Sequence, residues 1–331
     1  MGTSGLARMV KIKIPPRIHI TLLSMHENGY RQNGGIGFAV DAPSLLIDIR
    51  PAINLSIDDT RKNGFNEDEK GRIYTTLQEI MQAHKMRQGI KATISGDVPT
   101  HRGFGSSTAV RLALIEGLYL ANEMKYTKHD IITTSGRGGV SGIGIETYFG
   151  GGFVFDLGRK DKRSFAPSSA LETSQRSLPL LCKRVDMPQW NIGICIPHIE
   201  PKSEVEEKRF FTETCPIPQE ESYRTLYHAS YGVLASVMEE DITTFADAIK
   251  NIQNTFWKRA ERSLYGILLK DVERMLYESG VLAAGMSSLG PSLYFVAEDM
   301  EEVVARAEDK LPSSQIYMAH TTNSGRVISY D

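Results

Sequence analysis

A loop rich in glycine and serine connects a short predicted strand, residues 90–95, to a predicted helix, residues 106–122. The helix is indicated by apolar residues that recur every three to four positions. Gly103 and Gly105 allow the backbone of the loop to approach a ligand closely and to adopt positive φ angles. Free amide groups and the dipole at the start of the helix favour an anion. The loop therefore predicts a phosphate site. A glycine-rich turn that only leads into a capped helix is the alternative that the pattern leaves open.

Side chains around this loop add donors for a phosphate group. Ser106 and Ser107 stand at the start of the helix, where hydroxyl groups cap amides and donate hydrogen bonds. Arg102 adds a planar fork of N–H donors that suits phosphate. No Lys-Ser or Lys-Thr pair follows Gly105, so the loop is not a Walker A motif. We predict that Gly103, Gly105, Ser106, Ser107 and Arg102 bind a phosphate or pyrophosphate group.

The composition is that of a globular protein and excludes several other classes. Apolar residues make up 41% and charged residues 24% of the chain, which is ordinary. No apolar run approaches the roughly 18–20 residues that span a bilayer, so no membrane partner is expected. The net charge of −2 offers no basic field for nucleic acid. The three cysteines form no C-x-x-C pair, which predicts a reducing cytoplasmic setting. The eight histidines form no H-x-H or H-E-x-x-H pair, so no zinc site is expected.

The order of predicted strands and helices indicates an α+β fold in two domains. Strands dominate the start of the chain, where residues 36–40 and 44–50 are predicted to form a hairpin. The polar, serine-rich segment 159–179 has no clear period and is predicted to link the domains. We place the first domain at residues 9–170 and the second at residues 171–331.

Three motifs, in order along the chain, resemble those of the GHMP kinases. Residues 99–109 read Pro-x-x-x-Gly-x-Gly-Ser-Ser-x-Ala, which is similar to the phosphate-binding motif of that superfamily. Residues 15–20 resemble its N-terminal motif, with Arg17 where a lysine is usual, and residues 285–291 resemble its C-terminal glycine-rich motif. The resemblance covers nearly the whole chain. It implies the GHMP-kinase fold, with an N-terminal domain like ribosomal S5 domain 2 and a ferredoxin-like C-terminal domain.

One departure within residues 136–146 separates the chain from the kinases. Many GHMP kinases carry Ser-Gly-x-Asp here, with the aspartate as base, whereas this chain has Gly144 at the aspartate position. The stretch Arg-Gly-Gly-x-Ser-Gly-Ile-Gly is similar to the signature of β-ribofuranosylaminobenzene 5′-phosphate synthases, as are residues 17–19, 33–37 and 288–291. An ATP-dependent GHMP-family small-molecule kinase and a non-catalytic ligand sensor are the alternatives.

The resemblance to these synthases implies a reaction and its partners. Phosphoribosyl pyrophosphate reacts with 4-aminobenzoate or 4-hydroxybenzoate, carbon dioxide and pyrophosphate leave, and a C-riboside of tetrahydromethanopterin biosynthesis forms, as in archaea. Mg²⁺ is the implied cofactor, because it stabilises a departing pyrophosphate. The implied partners are these small molecules, and a homodimer is one of the states that the sequence leaves open.

Site residues are carried over from the matching motifs one by one. Arg17 and Arg137 are candidates for holding the benzoate carboxylate or the 5′-phosphate, with a surface salt bridge as the alternative. His19 is a candidate for holding the para substituent or for acid–base catalysis, with a core histidine as the alternative. Ser107 and Glu146 are the candidate Mg²⁺ ligands, with a solvated carboxylate as the alternative for Glu146. The substrate-binding candidates outside the loop are Asn33, Gly34, Gly35, Ser141, Gly142, Ser287 and Ser288.

Overall fold

The computed structural model describes residues 9–160, 165–167 and 178–331, which form three sheets with helices packed against them. The strands, in chain order, are β1 (Val10–Lys13), β2 (Arg17–Ser24), β3 (Asn33–Ala39), β4 (Leu45–Ala52), β5 (Ser56–Asp59), β6 (Gly89–Gly96), β7 (Phe153–Asp156), β8 (Leu181–Val185), β9 (Asn191–Ile196), β10 (Ala283–Met286), β11 (Leu293–Val296), β12 (Gln315–His320) and β13 (Val327–Tyr330). The helices are α1 (Glu67–Ala83), α2 (Ser106–Ala121), α3 (Lys128–Ser135), α4 (Ile143–Gly150), α5 (Glu204–Thr214), α6 (Gln219–Tyr227), α7 (Ala235–Glu239), α8 (Ile242–Gln253), α9 (Phe256–Ser263), α10 (Gly266–Ser279) and α11 (Met300–Lys310). A π-helical segment, His228–Leu234, joins α6 to α7.

Strands from both ends of the chain share the first sheet. Its order is β13-β1-β4-β6-β5, and Val10 on β1 lies opposite Tyr330 on β13. The second sheet has the order β2-β3-β7-β8, and the third has the order β10-β11-β9-β12. The pairs are antiparallel except that β5 runs parallel to β6. The predicted α+β class is confirmed.

Helix α2 lies within the core because it is apolar on nearly every side. Leu114 and Leu118 are fully buried, and so is the carboxylate residue Glu116. Gly117 allows α2 to lie close against β4, since a Cβ at this position would overlap the side chain of Ile49. The packing of α2 therefore fixes the position of the glycine- and serine-rich loop that precedes it.

A hydrogen-bond network around Glu116 ties the C-terminal segment to this core. The carboxylate accepts two hydrogen bonds from the guanidinium group of Arg326, at 2.7 and 3.0 Å. It also accepts hydrogen bonds from the hydroxyl groups of Tyr126 at 2.8 Å and Tyr148 at 2.7 Å. A buried carboxylate is stable only when it is paired in this way. The network holds the residues before β13 against α2.

The predicted hairpin of residues 36–40 and 44–50 is wrong. Strand β3 pairs with β2 and β7, whereas β4 pairs with β1 and β6, so the two strands belong to different sheets. Turn-forming residues between two strands indicate a loop, but they do not specify which strands pair.

The predicted domain boundary between residues 170 and 171 lies outside the described residues, and the division into two domains stays a prediction. Strand β8 pairs with β7, and β13 pairs with β1, so strands from the second half of the chain join sheets that the first half begins. In the part of the chain that the structure describes, no helix is long and apolar enough to cross a membrane.

Candidate active site

An open cavity of about 730 Å³ lies where the start of α2, strand β2, helices α1 and α5 and the loop after α3 meet. Its volume is within the range of sites that enclose small organic ligands. The charged and polar residues of its lining include Arg17, His19, Glu69, Arg72, His101, Ser106, Ser107, Arg111, Arg137, Ser141, Glu204, Glu207, Glu261 and Ser288.

The Gly-Ser loop, residues 103–107, borders the cavity and includes the first two residues of α2. Gly103 and Gly105 have φ angles of 93° and 70°, which favour glycine. A Cβ on Gly103 would also overlap the carbonyl oxygen of Ser287. Gly105 is the N-cap of α2 and brings no side chain to its first turn. The amides of Thr108 and Ala109 donate to the carbonyl oxygen of Gly105, whereas the amides of Ser106 and Ser107 are available to an anion.

The two serines of the loop have different surroundings. Ser106 is buried, and its hydroxyl group donates to the carbonyl oxygen of Pro99 at 3.2 Å. Ser107 lines the cavity and is only partly buried. Ser106 therefore fixes the loop, while the hydroxyl group of Ser107 is placed to contact a ligand.

Arg17 lies beside the Gly-Ser loop. Its Nη1 donates to the carbonyl oxygen of Gly103 at 2.8 Å, and a Cβ on Gly105 would lie 2.8 Å from its Nε. The Nε atom is buried and has no hydrogen-bond partner among the described residues. Burial lowers the pKa of Arg17 to about 10, so the guanidinium group stays charged at neutral pH. Arg17 therefore brings a positive charge and a free donor to the loop.

Ser287 connects β2 to the Gly-Ser loop. Its hydroxyl group accepts from the amide of His19 at 3.0 Å and donates to the carbonyl oxygen of Gly103 at 2.7 Å. The amide of Ser288 donates to the carbonyl oxygen of His19 at 2.9 Å, and Ser288 itself lines the cavity. Ser287 is a structural support, whereas Ser288 can contact a ligand.

The imidazole ring of His19 is buried at the cavity wall, with Nε2 3.4 Å from Oγ of Ser141. Gly35 makes room for this ring, because a Cβ there would lie 3.0 Å from Nε2. Burial, and then the positive charges of Arg17 and Lys258, hold the pKa of His19 well below its ordinary value. The ring is therefore neutral at pH 7 and can accept a hydrogen bond from a ligand.

The predicted residues Asn33, Gly34 and Gly142 lie outside the cavity lining. Asp156, at the end of β7, accepts hydrogen bonds from the amides of Gly142 at 2.5 Å and Gly158 at 2.6 Å. Burial raises the pKa of this carboxyl group to about 7. Asp156 was not predicted from the sequence, and it holds the loop between α3 and α4 in place.

Arg102 points away from the cavity. Its Nη1 donates to the carbonyl oxygens of Pro197 at 2.9 Å and Ile199 at 2.5 Å. The guanidinium group thus fixes the loop after β9, and the structure does not support the predicted role of Arg102 in phosphate binding.

The predicted pair of Mg²⁺ ligands does not form one site. Ser107 lines the cavity, but Glu146 does not, and its carboxylate pairs with Lys128 at 2.5 Å. Among the residues that the structure describes, no group of three or more His, Cys, Asp and Glu side chains could hold a metal ion.

Three arginines from separate elements form what we call the arginine cluster: Arg72 on α1, Arg111 on α2 and Arg137 after α3. Nη2 of Arg111 donates to Oγ1 of Thr76 at 3.2 Å. Burial, followed by the positive charge of Arg111, lowers the pKa of Arg137 to about 10, so these two guanidinium groups influence each other. Only Arg137 was predicted. Arg111 lies four residues after Ser107 and hence on the same helix face, a signal that could have identified it.

The cavity also contains carboxylates, most of which are paired. The pairs are Glu69 with His101, Glu204 with Arg72 at 3.2 Å, and Glu261 with Lys258 at 2.6 Å. Burial, and then the neighbouring carboxylates Glu204 and Glu261, raise the pKa of Glu207 to about 7.

Apart from Glu207, the unpaired charged groups of the cavity among the described residues are positive. Within the described residues, Arg17, Arg111 and Arg137 have no carboxylate at salt-bridge distance. Together with the open first turn of α2, these three groups favour a ligand that carries several negative charges.

Gly144 leaves an open space beside Arg17. A Cβ at this position would lie 3.7 Å from Cγ2 of Thr108 and 3.8 Å from Nε of Arg17, both ordinary contact distances. A carboxylate here would reach the guanidinium group. Because the residue is glycine, this position offers no side chain that could accept a proton from a substrate hydroxyl group.

The chain is similar to known proteins over most of its length. Residues 71–150, which include most of α1 and all of α2, match the family model described as the GHMP kinases N terminal domain. The chain is 31% identical over 302 residues to the β-ribofuranosylphenol 5′-phosphate synthase of Methanothermobacter thermautotrophicus, which covers 89% of this chain and 91% of that protein. It is 30% identical over 296 residues to the enzyme of the same name from Archaeoglobus fulgidus, which covers 88% of each chain.

Among solved structures, the fold is similar to that of homoserine kinase from Cytophaga hutchinsonii. The TM-score is 0.68 at 16% sequence identity, and the alignment covers 99% of this chain and 100% of the kinase. The predicted GHMP-kinase fold is confirmed, and at this level of identity the likeness concerns the fold alone.

Proposed function

Because the chain belongs to the β-ribofuranosylphenol 5′-phosphate synthases, we propose that it joins phosphoribosyl pyrophosphate to a para-substituted benzoate as a C-riboside. The ring carbon that bears the carboxylate attacks C1 of the ribose, the bond from C1 to the pyrophosphate oxygen breaks, and pyrophosphate leaves. The bond from the ring to the carboxylate then breaks, carbon dioxide leaves, and the electron pair of that bond restores the aromatic ring. We assign the reaction to tetrahydromethanopterin biosynthesis.

The observation that carries this proposal is the positive charge of the cavity around a position where GHMP kinases have a base. The ribose donor carries a phosphate group at one end and a pyrophosphate group at the other, and it needs several cations. Pyrophosphate gains negative charge as it departs, and the amides of the Gly-Ser loop with Arg17 are placed to stabilise that charge. A ring-carbon nucleophile needs no base at Gly144.

We propose 4-hydroxybenzoate as the aromatic substrate, with 4-aminobenzoate as the alternative. The support comes from the relatives, whose name identifies a ribosylphenol. The para substituent must release electron density into the ring when the ring carbon attacks. The neutral imidazole of His19 can accept a hydrogen bond from a phenol hydroxyl group and so increase that density, which an imidazolium ion could not do.

We include Mg²⁺ in the proposal as an ion that arrives with the pyrophosphate group. Mg²⁺ usually keeps several waters and is held by few protein groups together with substrate phosphates. Ser107, in the cavity at the start of α2, is the residue that would contact it. Bound there, the ion would neutralise part of the charge on the leaving group.

A turnover assay tests the function. The protein is incubated with Mg²⁺, phosphoribosyl pyrophosphate and 4-hydroxybenzoate labelled at the carboxylate, and parallel reactions contain 4-aminobenzoate. We expect labelled carbon dioxide and pyrophosphate in equal amounts, and the faster benzoate identifies the aromatic substrate. ADP formation from ATP and a small alcohol, without carbon dioxide from either benzoate, would instead identify a kinase.

A further inference from the structure

We propose that the arginine cluster is a second anion site of the cavity and binds the 5′-phosphate of the ribose donor. The inference rests on the proposed function and deepens it. The two phosphate-bearing ends of the donor would occupy two separate sites, with pyrophosphate at the Gly-Ser loop and the 5′-phosphate at Arg72, Arg111 and Arg137.

Two hydrogen bonds hold the cluster, one between helices α1 and α2 and one within the turn after α3. Arg111 on α2 donates to Oγ1 of Thr76 on α1 at 3.2 Å. The amide of Arg137 donates to Oγ of Ser135, the last residue of α3, at 3.1 Å. The first contact positions the side chain of Arg111 and the second fixes the backbone of Arg137 before a ligand arrives, which lowers the entropic cost of binding.

Among the described residues, no carboxylate pairs with two of the guanidinium groups of the cluster. Arg111 and Arg137 each have a buried Nε atom without a hydrogen-bond partner in the described part of the chain. Arg72 does have a partner, Glu204, but both side chains are about half exposed and free to reorient. A phosphate dianion would satisfy the unused donors and would remove the repulsion between like charges.

The spacing of the two sites suits a phosphorylated pentose. Ser107 and Arg111 lie four residues apart on α2, so they share one face of the helix and are separated by about 6 Å along its axis. A ribose ring with its 5′-carbon can bridge that separation. One end of the donor can therefore rest at the first turn of α2 while the other end reaches the cluster.

The chemistry of the reaction favours the 5′-phosphate over the benzoate carboxylate as the ligand of the cluster. The carboxylate loses its charge as carbon dioxide departs, so cations around it would stabilise the substrate more than the transition state. The 5′-phosphate keeps its charge throughout, and tight binding at that end orients the donor without opposing the reaction. Of the two roles predicted for Arg137, the 5′-phosphate role is the one we assign.

Two small probes separate the two sites. Ribose 5-phosphate carries only the monophosphate end of the donor, and pyrophosphate carries only the other end. Isothermal titration calorimetry with each probe, in the presence of Mg²⁺, compares the wild type with Arg111→Met and Gly105→Ala. The exposed residue Arg306, which pairs with Glu302 on α11, supplies the matched control Arg306→Met.

We expect Arg111→Met to weaken ribose 5-phosphate binding by about 10- to 100-fold, as for the loss of one charged hydrogen bond. Its effect on pyrophosphate should stay below about threefold, since a more distant charge contributes little. Gly105→Ala should show the reverse pattern, because its Cβ would displace Arg17. Arg306→Met should change neither affinity.

If Arg111→Met lost affinity equally for both probes, the assignment of two separate sites would be wrong. It would also be wrong if this variant bound ribose 5-phosphate as the wild type does, or if the wild type did not bind ribose 5-phosphate at all. Circular dichroism checks the fold, and Arg111→Lys, with an intermediate loss expected, replaces the methionine variant if that variant unfolds. Binding is independent of turnover. If the variants affect the two probes as expected but the protein releases no carbon dioxide, the second anion site is supported and the proposed function is wrong.

Discussion

Arg17 and His19 are two positions apart on β2, so both side chains lie on one face of the strand and reach the same cavity. Burial disfavours the charged form of each group. The ordinary pKa of arginine is so high that Arg17 nevertheless stays protonated, whereas the lowered pKa leaves His19 neutral. One strand face therefore supplies a cation for the phosphates and a neutral acceptor for the aromatic substrate.

Introducing a carboxylate at Gly144 tests the role of the free guanidinium group. Gly144→Asp has room for its side chain and would pair with Arg17, which then becomes less available to pyrophosphate. We expect kcat/KM for phosphoribosyl pyrophosphate to fall by about 10- to 100-fold, as for one charged hydrogen bond. Gly144→Asn, which has the same shape without the charge, should stay near the wild type. If kcat/KM fell equally in both variants, the size of the added side chain, and not its charge, would be the cause.

Glu207 predicts a pH dependence of ligand affinity. Its pKa is raised to about 7, so the carboxyl group becomes negative as pH rises through that value and then repels a phosphate ligand. The ribose 5-phosphate affinity of the wild type relative to Glu207→Gln should fall by about two- to fivefold between about pH 6 and pH 8. The phosphate group of the probe also titrates in this range, but it does so equally for both proteins. The ratio of their affinities, measured by calorimetry at each pH, therefore reports Glu207 alone. A ratio that does not change with pH would refute this role.

Helix α2 is the element on which both anion sites depend. Its first turn is open to the cavity, its second turn carries Arg111, and its middle is packed against β4. A small displacement of this helix would move the Gly-Ser loop and Arg111 together. The close packing of α2 is therefore a condition for the geometry of the site.

Alanine at two helical glycines tests that packing. Gly117→Ala should lower the free energy of unfolding by about 1 kcal/mol or more, because the added Cβ would overlap the side chain of Ile49 in the core. Gly71→Ala, on the exposed face of α1 with no atom within 4 Å of the added Cβ, should raise it by about 0.5–1 kcal/mol. Urea denaturation measures both. Stabilisation by both substitutions would contradict the close approach of α2 to β4.

Local signals in the sequence predicted the elements that carry the site, but not the contacts between distant residues. The predicted helix 106–122 agrees with α2 because its apolar period and its glycine-rich start are local properties. Arg102 adjoins the Gly-Ser loop in sequence, yet its side chain turns toward carbonyl oxygens near residue 198, which no local pattern specifies. Arg72 approaches Arg137 only because α1 and α3 both pack against α2, so its role required the tertiary structure.

For the whole molecule, the same fold supports different chemistry in different families. The chain shares its architecture with a homoserine kinase at 16% identity, whereas its synthase relatives are about twice as similar in sequence. Gly144, beside Arg17, is a position where this chain departs from the motif of many GHMP kinases. Fold alone therefore does not determine the reaction, and the residues of the site do.

The integrity of the whole molecule depends on its C-terminal segment. Arg326→Ala would leave the buried Glu116 carboxylate without its cation and should cost about 3 kcal/mol of stability. Lys11→Ala, which removes exposed ion pairs with Asp48 and Asp331, should cost less than about 0.5 kcal/mol. Urea denaturation compares the two variants. Equal losses would mean that the Glu116 network contributes no more than a surface pair.

The pairing of β13 with β1 has a consequence for how the protein is made. A ribosome synthesises β1 long before β13, so Val10 on β1 cannot pair until Tyr330 on β13 has been made. Until then one edge of β1 is a template for pairing with other chains. Closing so long a loop is also slow. We expect nascent chains to be vulnerable to aggregation until β13 has emerged, and to benefit from a chaperone during that interval.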